Sequence, residues 1–101
     1  MAGTNQAIEI AHAEADGRGA FFVEREGARL AEMTYTRAGD DLVIIDHTEV
    51  NPKLQGLGVA RRLLDAAVAW ARATKTRVMA TCPYALAQFE RDPSIRDVLA
   101  K

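Results

Sequence analysis

An α+β domain on a mixed, mainly antiparallel sheet is the fold class this 101-residue chain predicts. Three observations point there. Between Ala7 and Asp41 short apolar segments are divided by Gly and Asp turns, and one of them alternates with a strict period of two. A continuous apolar run, Leu42-Val43-Ile44-Ile45, then passes abruptly into polar residues. Finally, a segment of helical period lies between that run and another short strand. Such a unit crosses over right-handed and makes its two strands parallel. The length allows one core, so residues 1–101 are expected to form a single domain, with 1–6 as a frayed start.

Taken in order, Ala7 to Ala13 is a weak strand, ended by Asp16-Gly17-Arg18-Gly19. Ala20 to Glu24 is aromatic and β-branched, a better strand, and Glu26-Gly27 turns it. Leu30 to Thr36 places Ala31, Met33 and Tyr35 on one face and Glu32, Thr34 and Thr36 on the other. Gly39-Asp40-Asp41 is the next turn. The run from Leu42 reads as a central strand covered on both faces, and its polar extension Asp46 to Val50 suggests an end opening into a cleft. Asn51-Pro52 stops it and Lys53 to Leu57 is a loop. From Gly58 to Thr74, Ala60, Leu63, Leu64, Ala67, Val68 and Ala71 form one apolar helical stripe, with Trp70 at its edge as an anchor to the sheet. Val78 to Ala80 is a short strand. Pro83 opens a second helix, roughly Tyr84 to Arg91, and Asp92-Pro93 ends it. Ser94 to Leu99 adds a terminal turn.

Composition excludes several classes. With 49% hydrophobic residues the chain is not disordered, and a net charge of −1 provides no field toward nucleic acid or an anionic membrane. One cysteine forbids an internal disulfide and a Cys-rich zinc site, and no metal is expected. Neither a signal peptide nor an apolar run of about 20 residues is visible. A cytoplasmic protein, monomer or weak homodimer, is the simplest expectation.

The segment richest in chemistry runs from Val50 to Arg61, joining a buried strand to a helix N-terminus. Unpaired amides and the helix dipole favour an anion there, and Gly56 and Gly58 let a phosphate approach the backbone. It is not a Walker A loop, which needs G-x-x-x-x-G-K-[ST]. Nor is it a dinucleotide fingerprint, since Arg61 stands where the third glycine belongs and Thr76 to Ala80 offers no acidic ribose reader.

The segment resembles motif A of the GNAT superfamily of acetyl-CoA-dependent N-acetyltransferases, V-x-P-x-x-[QR]-G-x-G-x-[GA]. Val50, Pro52, Gln55, Gly56, Gly58 and Ala60 fill it without a gap. A closer resemblance is to the short YjdJ-type members, through His47-Thr48-Glu49-Val50, Cys82-Pro83-Tyr84, Phe89 and Pro93; it spans about Phe22 to Leu99. The resemblance implies acetyl-CoA, a co-substrate, in a gap where the fourth and fifth strands splay apart. Amides of Gln55, Gly56, Leu57, Gly58, Val59 and Ala60 would cradle the pyrophosphate. Backbone near Thr48 and Val50 would pair with the pantetheine, and Arg61, Arg62 and Lys53 would screen phosphate charge.

Transfer of acetyl to a primary amine needs a proton acceptor, an oxyanion donor and a proton for the leaving thiolate. His47 and Glu49 alternate onto one side of the fourth strand unless a bulge intervenes, and either is a candidate base or a plain strand-end polar group. Cys82, at the second helix's N-cap, is a candidate acyl carrier or acid, or a small buried hydrophobe. Tyr84 is the second candidate acid, since GNAT enzymes often use a tyrosine of this helix, or a structural aromatic. His12 and Trp70 carry structural readings only. Where larger relatives insert helices between the first two strands, Ala13 to Ala20 is a short turn, so the acceptor side is open or completed by a partner. Two alternatives stand beside the transferase: a CoA-binding module without turnover, and an interaction domain with no nucleotide ligand.

Overall fold

A computed structural model describes residues 8–100; the frayed start expected at residues 1–6 lies outside them. Five strands, β1 (Ala11–Ala15), β2 (Arg18–Arg25), β3 (Ala28–Gly39), β4 (Leu42–Val50) and β5 (Arg77–Ala80), form one sheet in sequence order. Pairing is antiparallel from β1 to β4 and parallel between β4 and β5. Helix α1 (Val59–Thr74) crosses from β4 to β5, and α2 (Pro83–Arg91) follows β5. Tight turns at Asp16-Gly17 and Glu26-Gly27, all four residues at positive φ, close the first two hairpins.

The stripe read along α1 is the core. Leu63 and Leu64 are fully buried, with Val59, Ala67, Val68 and Ala71 beside them, against Phe21, Val23, Ala31, Met33, Tyr35, Val43 and Ile45 of the sheet. Each of the two leucines contributes about 1.5–3 kcal/mol by leaving water. Trp70 anchors the far end as expected, 5.5 Å from the Tyr35 ring and 5.8 Å from Phe21.

Two expectations need correction. The first strand is Ala11–Ala15, not Ala7 to Ala13, because the Asp16-Gly17 turn pairs Ala15 with Arg18 and so sets the register from its own end. The central strand is not covered on both faces. Val43 and Ile45 are buried, but Leu42 and Ile44 are only half-buried and Met79 beside Ile44 is 45% exposed. Buried α1 side chains pack on one face of the sheet only; a continuous apolar run does not reveal how many covers it has.

Between Ile45 and His47 the β3–β4 ladder carries a bulge. Tyr35 pairs with Ile45 and Thr34 with His47, leaving Asp46 as the extra residue. Beyond it Thr48 and Val50 turn to the core face, and His47 and Glu49 to the open one. Pairing with β5 stops at the same level, Ile45 with Ala80, whereas β4 continues to Val50. Both Thr81 and Cys82 donate their amides to the Ile45 carbonyl, closing the ladder as the strands part.

Candidate active site

Among the described residues, the parted strands leave one edge of β4 without a paired strand over its last residues. Asn51 donates its amide to Leu30 on β3 at 2.7 Å. By the alternation of an extended strand, the Glu49 amide also faces β3, and the amides of Thr48 and Val50 face the open slot. Sequence reasoning singled out these two residues.

The chain leaves β4 through Asn51, whose side chain accepts from the Lys53 amide at 2.9 Å and caps the 3-10 turn Pro52–Leu54. Leu54 is buried and pins the loop to the core, while Gln55, Gly56 and Leu57 are exposed. Gly56 and Gly58 adopt φ of 83° and 70°, and a Cβ on either would meet no atom within 4 Å. Backbone conformation, not crowding by the protein, therefore calls for glycine at both, and the space in front of them is open.

A helix N-terminus normally begins with an extended residue whose side chain accepts from the first turn. Here the position belongs to Gly58, left-handed and without a side-chain cap. Among the described residues the amides of Gly56, Gly58, Val59, Ala60 and Arg61 donate to no protein acceptor, whereas those of Gln55 and Leu57, expected in the cradle as well, are taken by the carbonyls of Pro52 and Leu54 as the 3-10 turn closes. The first turn of α1 has no acidic residue and carries Arg61 and Arg62, the opposite of what the helix dipole favours. Local chemistry that runs against a helix's own preference fits a site prepared for an anion.

Arg61 is not free to screen that anion with its side chain. Its guanidinium donates to Asp65 at 2.8 Å, to Gln88 of α2 at 3.0 Å, and to Asp92 just beyond α2. These bonds hold Arg61 firmly protonated and Asp92 ionised, its carboxyl well below the usual range. The cluster ties the first turn of α1 to the end of α2. Arg62 donates to the Ile8 carbonyl at 2.9 Å, and Lys53 is exposed beside the loop.

Cys82 is the N-cap of α2, with Pro83 at the first helical position as the sequence indicated. It is 3% exposed, and its Sγ lies 3.1 Å from Thr48 Oγ1, where the slot begins. Sequence reasoning gave Thr48 only a backbone role and missed this contact, which spans 34 residues. Tyr84 is half-buried; burial pushes its phenol above the ordinary value of 10.0, with Arg61 opposing and Asp65 adding to the rise. It keeps its proton at neutral pH.

His47 and Glu49 do share a side, their Nε2 and Oε1 3.4 Å apart, because the bulge precedes both. That side is the open sheet face, with β4 between it and Cys82. Glu32 faces Glu49 across the strands, and one donor atom each from Glu32, His47 and Glu49 falls within 4.8 Å of the others, all three accessible to solvent. Arg29 offsets Glu32 at 3.3 Å. A depression of about 260 Å³ lies alongside, lined by Arg29, Glu32, Glu49, Val50, Asn51 and Pro52.

A mixed sheet parting beside a glycine-rich helix N-terminus defines the acetyltransferase fold of the GNAT class. The sequence profile of the GCN5-related N-acetyl-transferases matches residues 20–98, and the chain belongs to that family. Among solved structures, a GCN5-like protein from Staphylococcus aureus, assigned to the N-acetyltransferases, is 32% identical with a TM-score of 0.67, covering 92% of this chain and 88% of its own. The ribosomal-protein-alanine N-acetyltransferase of Brucella melitensis shares the fold at 13% identity and a TM-score of 0.64, covering 94% and 92%. A protein assigned as a streptothricin acetyltransferase from Bacillus anthracis, solved with acetyl coenzyme A, does so at 17% and 0.54, covering 76% of this chain and 46% of its own. A search of curated proteins finds no match in sequence. The protein is an acyltransferase of the GNAT type. Among the described residues no helix is long and apolar enough to cross a membrane.

Proposed function

We propose that the protein transfers acetyl from acetyl-CoA to a primary amine. The observation that carries this is the set of uncapped amides of Gly56, Gly58, Val59, Ala60 and Arg61 at the end of the loop that leaves the unpaired edge of β4. Those amides take the pyrophosphate, with Lys53 and Arg62 adding charge. The backbone of Thr48 and Val50 extends the sheet with the pantetheine amides, which brings the thioester toward Thr48 and Cys82. An amide N–H of the free β4 edge that the pantetheine leaves unused receives the tetrahedral oxyanion. Tyr84, protonated and half-buried, donates to the departing thiolate. The amine approaches from the open face, where Glu49 or His47 accepts its proton directly or through water. Burial of Cys82 and its bond to Thr48 favour direct attack by the amine over an acetyl-cysteine intermediate.

Isothermal titration with acetyl-CoA tests the reading. One-to-one binding that Gly58→Trp abolishes without changing the circular dichroism is expected; no binding by the wild type overturns it. One observation favours binding without turnover as a second reading: a tight turn at Asp16-Gly17 is all that joins β1 to β2, so nothing between them builds an acceptor pocket. Radiolabelled acetyl-CoA incubated with a panel of amines separates the two.

A further inference from the structure

The apolar pattern of β4 demands a bulge but not its place. Ile45 and Val50 both pack toward the core, an odd spacing of five that a strand of period two cannot satisfy without an extra residue. If β4 continued in register past Ile45, Asp46 would pair with Thr34 and His47 with Met33. Every later side chain would change face, sending His47 and Glu49 into the core and Thr48 and Val50 outward. The backbone would turn with them, so the Thr48 and Val50 amides would face β3 and leave the slot.

The extra residue is Asp46, and both oxygens of its carboxylate are engaged on the open sheet face. Thr34 Oγ1 donates to Oδ1 and Thr36 Oγ1 donates to Oδ2 at 3.0 Å. The two threonines stand two residues apart on one face of β3, on either side of the register shift. A carboxylate held from both sides cannot slide along β3, whereas an apolar residue there would leave the bulge free to slide past His47 toward Glu49, which takes Thr48 from the slot and Glu49 from its pairing with β3.

We infer that Asp46 is a positioning residue, whose grip by Thr34 and Thr36 pins the β4 bulge and thereby turns Thr48 and Val50 to the slot. Its consequence for the cofactor rests on the function proposed above.

Amide hydrogen exchange by NMR reads the device without any ligand. In the wild type the Glu49 amide is protected and those of Thr48 and Val50 exchange freely. Asp46→Ala removes both threonine bonds and is expected to lower Glu49 protection at least about tenfold, while Val43 and Leu63 keep theirs. Asp46→Asn, which keeps one acceptor, restores most of it. Should Asp46→Ala fail to fold, the Thr34→Val/Thr36→Val double variant gives the same readout. Wild-type exchange at residues 47–50 in these variants overturns the inference. In titrations, Asp46→Ala weakens acetyl-CoA about tenfold; altered exchange with unaltered affinity refutes the link to the cofactor. A wild type that binds no acetyl-CoA refutes the proposed function and leaves the exchange result to decide on Asp46.

Discussion

Gly58→Ala separates what the loop costs the fold from what it does for a ligand. At φ of 70° an alanine is strained by about 1–2 kcal/mol, as any residue with a Cβ is in the left-handed region. Nothing adds to that, because the new methyl meets no atom within 4 Å. Against a total stability of about 5–15 kcal/mol the fold survives, with a melting point lower by roughly 4–8 °C per kcal/mol. The methyl does, however, occupy open space beside the free amide of Gly58, where a bound phosphate would approach the backbone. Displacing a phosphate from one charge-assisted hydrogen bond costs about 1.5–3 kcal/mol, which weakens acetyl-CoA about 10- to 150-fold. Scanning calorimetry and isothermal titration on the same samples check both halves. A variant that melts lower as expected, yet binds acetyl-CoA like the wild type, refutes the argument that those amides hold the pyrophosphate.

Three further outcomes follow from the same structure. Cys82→Ser is expected to retain turnover, and intact mass after incubation with labelled acetyl-CoA should show no acetyl on wild-type Cys82; an adduct there would establish the covalent route. Gly19→Ala should lose about 1–3 kcal/mol in denaturant unfolding, because its Cβ would stand 2.3 Å from the buried Tyr35 ring, which His12 and Glu14 hold by its hydroxyl; an unchanged midpoint counts against that packing. Acid should destabilise the protein in two stages. Burial lowers His12 from its ordinary 6.5, so the unfolded chain takes that proton first and stability falls as pH drops below about 6.5. The Arg37 bond lowers Glu14 from 4.5, adding a second loss as pH drops through and below that value. His12→Phe should remove the upper stage from a melting-point profile, and a profile identical to the wild type would refute it.

Much of the site was legible because it lies in one stretch of chain. Val50 to Arg61 carries its own punctuation: a proline after the strand, glycines where φ turns positive, and an apolar stripe marking the helix start. The same holds for Pro83 and the N-cap at Cys82. What could not be read were relations between distant residues. The Thr48–Cys82 contact, the Arg61 cluster on Gln88 and Asp92, and the Thr34–Asp46–Thr36 grip each join separate elements, and none follows from a local period. The odd spacing of Ile45 and Val50 signalled a bulge, and alternating threonines on β3 opposite a lone aspartate were the one available signal of its place.

Hydrophobic spacing and turn residues by themselves determined the order of elements, the parallel pair at the end and the bare helix start, since each depends on neighbours along the chain. Tertiary structure alone decided which side of β4 each candidate faces. A single inserted residue reverses every side chain after it, and only the packing of β3 against β4 reveals where that residue sits.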